Sequence, residues 1–115
     1  MTSVTLEQAL ASFELSALAD GVSSKTVVWY LWLLAESPHA CVPWLSRQGL
    51  TRVPAISTDH LRQYIAWLRA QPNTRSGELQ SADTIAGYIR ALHRFFGWCA
   101  GEYDLRDPMT RIAFP

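Results

Sequence analysis

Lysine is almost absent from this 115-residue chain: Lys25 stands beside nine arginines, and ten acidic residues bring the formal net charge to zero. Bulk electrostatics therefore does not announce a polyanionic partner. Cysteine is equally scarce, and Cys41 and Cys99 are too few for a disulfide framework. No apolar run approaches the ~20 residues of a membrane span. The opening stretch, Met-Thr-Ser-Val-Thr-Leu-Glu, lacks the basic and apolar regions of a signal peptide. Together these absences predict a soluble, cytoplasmic protein with reduced thiols and no membrane partner. Strand alternation and internal repeats are missing, and so are a Gly-rich phosphate loop, a Gly-x-Ser-x-Gly elbow and a His-Glu-x-x-His pair. His39, Cys41, His93 and Cys99 lack the short gaps of zinc ligands, so no metal and no cofactor is expected. Cys99 reads as a core residue, Cys41 as a loop thiol, and His60 and His93 as surface histidines.

What is present is helical periodicity, clearest over residues 81–101. Ile85, Tyr88, Ile89, Leu92, Phe96 and Cys99 recur at steps of three and four, predicting one apolar face, with Ser81 as N-cap, Asp83 in the first turn and Gly101 as the stop. At 100° per residue Gly87, Arg90, Arg94 and Gly97 fall on the opposite face. Two arginines beside a residue without a side chain form a surface a polyanion can approach, and equally the wet side of an ordinary helix.

Three further helices follow from the same logic. Leu6, Leu10, Phe13 and Ala17 predict one over residues 5–19, with Leu15 and Leu18 off its stripe. Val27, Tyr30, Leu31 and Leu34 predict a second over 24–37, capped by Ser23, Ser24 and Thr26; its outer face aligns Lys25, Trp29, Trp32 and Glu36. These tryptophans mark either a protein contact or a surface covered locally by residues 38–50. A short helical turn is expected around residues 43–48. Leu61, Tyr64, Ile65 and Leu68 predict a helix over 58–70, and residues 71–80 read as an exposed, mobile loop. The whole chain then reads as one all-α, four-helix domain.

Charge is unevenly spread along it. Residues 1–46 set Lys25 against four acids, whereas residues 47–94 carry seven arginines against Asp59, Glu78 and Asp83. Positive charge therefore gathers in the second half, as side chains suited to forked contacts with phosphate.

In order and spacing, these pieces resemble the N-terminal core-binding, or SAM-like, domain of the tyrosine recombinases and phage integrases. The resemblance lies in Thr5-Leu6-Glu7, in Gly21-Val22-Ser23-Ser24-Lys25-Thr26 with Tyr30, and in Ile56-Ser57-Thr58-Asp59-His60-Leu61 with Tyr64 and Leu68. It continues through Ser81-Ala82-Asp83-Thr84-Ile85, Leu92, Phe95, Phe96 and Trp98, then Asp107-Pro108-Met109. It implies an orthogonal four-helix bundle that grips double-stranded DNA as one half of a clamp for integration or recombination. The partners it implies are duplex DNA, a separate downstream catalytic domain of the same parent, and other recombinase protomers. The helical domain itself then holds no catalytic residue. Lys25, Thr26, Ser81, Thr84, Arg90 and Arg94 match the DNA-facing positions. The competing expectation is a helical protein-interaction or oligomerisation domain that uses Trp29 and Trp32.

Overall fold

Thr5 opens the first helix through a reciprocal cap. Its hydroxyl accepts the Gln8 N–H at 3.0 Å, and the Gln8 side-chain oxygen accepts the Thr5 N–H at 3.0 Å. In the computed structural model, which describes residues 3–115, α1 then runs Leu6–Ala19 and buries Leu6, Ala9, Phe13 and Ala17. Met1 and Thr2, the first residues of the stretch read as lacking a signal peptide, lie outside the described residues. Leu15 and Leu18 stay exposed, as their position off the stripe requires. Gly21, at φ +87°, stops α1: the Val22 N–H reaches the Ala17 carbonyl and the Gly21 N–H the Leu18 carbonyl, claiming two of its last orphan acceptors.

Helix α2, Ser24–Leu31, does not continue regularly to residue 37. Trp32–Glu36 widens into one π-helical turn, closed by the Ser37 N–H on the Trp32 carbonyl at 2.7 Å. Consecutive Leu33 and Leu34 are both buried there while Trp32 faces outward. The expected short turn is a full helix, α3, Cys41–Arg47, with Pro43 in the first turn where its missing N–H costs no intrahelical bond. Cys41 is thus no loop thiol: it opens α3 at 1% exposure, and burial pushes its pKa far up.

A 3-10 turn, Val53–Ala55, leads into α4, Thr58–Ala70. Its cap gives the surface histidine His60 a structural role: His60 Nδ1 accepts the Ser57 N–H at 3.0 Å while the Ser57 hydroxyl accepts the His60 N–H. Helix α5, Ala82–Tyr103, runs through Gly101; the stop is Asp104, in the left-handed region at φ 54°. His93 is half-buried, its ring 5.3 Å from that of Phe114, and its buried Nε2 has no hydrogen-bond partner.

Four long helical segments and the shorter α3 therefore make up the fold, with no β-strand among the described residues. The core joins α1, α4 and α5: Phe13 meets Phe95 and Trp98 edge-on at 5.5 and 5.6 Å, and Met109 after α5 is fully buried with them. The Thr58 hydroxyl donates to the Pro108 carbonyl at 2.8 Å, tying the C-terminal segment to the start of α4. Apart from His93 Nε2, the buried polar side-chain atoms among the described residues are paired. Tyr88 donates to the Ser37 hydroxyl at 2.9 Å, and Tyr64 to the His39 carbonyl at 2.7 Å.

Candidate nucleic-acid interface

The starts of α2 and α5 are built alike. At each, a serine hydroxyl accepts the backbone N–H of the threonine three residues on at 3.2 Å and donates to that threonine's hydroxyl at 2.9 Å, Ser23 with Thr26 and Ser81 with Thr84. The cap engages the Ser81 proton, which makes Ser81 a poor donor to any ligand. Thr26 and Thr84 hold the free end of each relay: each hydroxyl oxygen accepts one hydrogen bond from its serine, and its own proton remains to give.

One direct approach and two shared hollows line α5 up with the segment from Asp20 to Leu33 in opposite chain directions. Thr84 shares a hollow with Trp32 and Leu33, Gly87 lies beneath Trp29, and Arg94 shares a second hollow with Asp20, ahead of α2. Continuing α5 from Gly87 through Arg90 to Arg94 thus leads toward Asp20, in the turn that precedes α2. Lys25, Arg90 and Arg94 are all exposed, and none has a carboxylate within 4 Å; the ion pair among the described residues is Arg62 with Asp59 at 3.1 Å.

The glycines on this face do not leave it bare. Gly87 is buried, because a Cβ there would already touch Trp29 Cζ2 at 3.5 Å, and a Cβ on Gly97 would meet the Asp107 carboxylate at 3.5 Å. A close approach to α5 backbone is therefore closed at both positions, leaving the arginines as its accessible part.

Trp29 and Trp32 remain about half exposed, at 46% and 45%, so residues 38–50 do not cover them. They form a ridge between two hollows. On one side, about 810 Å³ is lined by Lys25, Thr26, Val28 and Glu36. On the other, about 430 Å³ is lined by His39, Asn73, Arg75, Asp83, Thr84 and Tyr88. Arg75 and Asn73 come from the stretch read as a mobile loop, which is a closed turn: Pro72 bridges to Leu79, and Asn73 Oδ1 accepts the Arg75 N–H at 2.8 Å. Gln80 anchors its far end, on the Leu68 carbonyl and beside His39 Nδ1 at 3.4 Å. Asn-x-x-Ser-Gly was the sequence signal for this turn, but nothing local announced that it would wall in the tryptophans.

A separate hollow of about 550 Å³ gathers Arg62, Arg106 and Arg111 between the start of α4 and the C-terminal segment, and shares no lining residue with the other two. Among the described residues no three His, Cys, Asp or Glu side chains converge as metal ligands. Burial, with the Asp107 carboxylate adding to it, pushes the Cys99 thiol up to about 12. Neither thiol is a ready nucleophile at neutral pH. No helix among the described residues is long and apolar enough to cross a membrane. Comparison of the chain with family models, curated proteins and solved structures finds no match.

Proposed function

We propose that this domain is the DNA-binding module of a site-specific tyrosine recombinase or integrase, holding one side of a duplex while a separate downstream domain of the same parent performs strand cleavage and rejoining. In this reading the fold is the SAM-like core-binding bundle, the protein works in the cytoplasm, and the domain itself is not an enzyme. The ordered sequence resemblance motivates it. The observation that carries it is that Lys25, Arg90 and Arg94 lie exposed without internal carboxylate partners. Such guanidinium and ammonium groups pair with phosphates and position a protein on DNA, while Thr26 and Thr84 offer protons to phosphate or base edges.

Titration of a labelled duplex at two salt concentrations tests the reading. Three phosphate contacts give a log–log salt slope near ~−2.7, so a fourfold rise in salt weakens binding about 40-fold. Replacing Arg90 and Arg94 by alanine leaves one contact and reduces that loss to about 3- to 4-fold. No binding at low salt, or a double variant that keeps the full slope, refutes the proposal.

The half-exposed indoles favour a second reading, a protein-interaction domain that contacts another protomer or a partner through Trp29 and Trp32. Sedimentation separates the two: an oligomer that dissociates in Trp29→Ala with Trp32→Ala supports it, and a monomer in both proteins counts against self-association.

A further inference from the structure

The hollow between α2 and α5 has the chemistry of a nucleobase seat. One wall is two flat aromatic surfaces, Trp29 of α2 and Trp32 of the π turn that follows it, each only half covered by the protein's own atoms. Its α5 wall presents Thr84, whose hydroxyl oxygen accepts from Ser81 and whose proton is unclaimed, next to Asp83, whose carboxylate has no cation within 4 Å. Arg75 lines the same hollow with a guanidinium free of any carboxylate. At about 430 Å³ the space falls in the range of small-molecule sites, roughly 300–1,000 Å³. A nucleotide uses the indoles, the donor, the acceptor and the cation together.

We propose that this hollow holds an unpaired guanine of a DNA strand, stacked on the tryptophan ridge. The proposal rests on the DNA-binding reading and deepens it. Guanine alone among the DNA bases sets two adjacent donors, N1–H and the N2 amino group, beside an acceptor, O6. Asp83 accepts from the first pair, Thr84 donates to O6, and Arg75 faces the attached phosphate. Adenine would turn its N1 lone pair toward the Asp83 carboxylate and be repelled. In a Watson–Crick pair the same edge of guanine is occupied, so the base must be unpaired to enter. Lys25, across the ridge, is then placed for the phosphate of a strand passing over the indoles.

The test compares one labelled hairpin duplex in three forms: fully paired, with one unpaired guanine, and with one unpaired adenine. The unpaired-guanine form should bind about tenfold more tightly than the paired form, the gain of one stacked base. The adenine form should fall between them. Trp29→Leu should abolish the preference for the unpaired base, and Asp83→Ala, an exposed substitution that does not threaten folding, should abolish the preference for guanine over adenine. Equal binding of paired and unpaired-guanine duplexes overturns the proposal and leaves the DNA-binding reading intact. If no duplex binds, the DNA-binding reading fails and titration with guanosine monophosphate decides the hollow by itself. Saturable tryptophan quenching that is lost in Asp83→Ala supports a guanine seat, and its absence in the wild-type protein overturns one.

Discussion

Replacing Gly87 probes whether α5 is shaped to receive Trp29. A methyl group at this position would lie 3.5 Å from Trp29 Cζ2 and 3.6 Å from Cη2, ordinary van der Waals contact that forces nothing aside. The substitution also removes a glycine from a helix interior, which is worth about 1 kcal/mol. Gly87→Ala should therefore stabilise the protein by about 1 kcal/mol, raising the melting temperature by about 4 °C for a domain of this size. Gly87→Leu has the same backbone benefit, but its branched end occupies the space of the indole. Expelling the covered half of Trp29 uncovers about 100 Å² of apolar surface and costs about 2.5 kcal/mol, so the net effect should be a loss of about 1–2 kcal/mol. Thermal unfolding followed by circular dichroism reads both changes, and acrylamide quenching should rise in the leucine variant as the indole swings out. An alanine variant that melts below wild type, or a leucine variant as stable as the alanine one, refutes the seat drawn between these helices.

The thiols of Cys41 and Cys99 should react with an alkylating reagent only as fast as the domain unfolds, because burial holds both protonated at neutral pH; a rate unaffected by added denaturant would contradict that burial. Linkage adds a pH dependence. The Cys99 contribution is fully present below the ordinary thiol value of 9.0 and is lost between there and about 12, where the unfolded chain ionises and the folded one does not. Urea titrations should show stability falling above pH 9.0 by about 1.4 kcal/mol per pH unit for this thiol, and more gently in Cys99→Ala. Tyr88→Phe should cost about 1–2 kcal/mol by stranding the Ser37 hydroxyl, which is 5% exposed. A double-mutant cycle with Ser37→Ala should give a combined loss smaller than the two single losses together, and strict additivity would argue against the bond.

The helices were legible in the sequence because their causes are local. Ser23, Ser57 and Ser81 cap from within three residues, and the stripes Leu6-Phe13-Ala17 and Ile85-Ile89-Leu92-Phe96 need only the helical repeat. The exposure of Lys25, Arg90 and Arg94 followed from the same geometry. What escaped depends on distant partners. Gly87 looked open because the indole that covers it belongs to another helix, and His93 looked wet because Phe114 folds back against it. The end of α5 escaped for a different reason: Gly101 is the more permissive residue, but aromatic Tyr103 packs on the core and carries the helix on until Asp104 turns it left-handed. Arg75 and Asp83 reach one hollow only through the closed turn of residues 71–80, which no periodicity encodes.

The wide turn at Trp32–Glu36 lets the chain take in one residue more than regular winding would before it leaves the helix at Ser37. Leu33 and Leu34 both go inward there, while the Trp32 indole stays on the rim of the hollow that Thr84 and Asp83 line. An extra backbone unit is thus accommodated at the place where greasy interior and open aromatic rim meet.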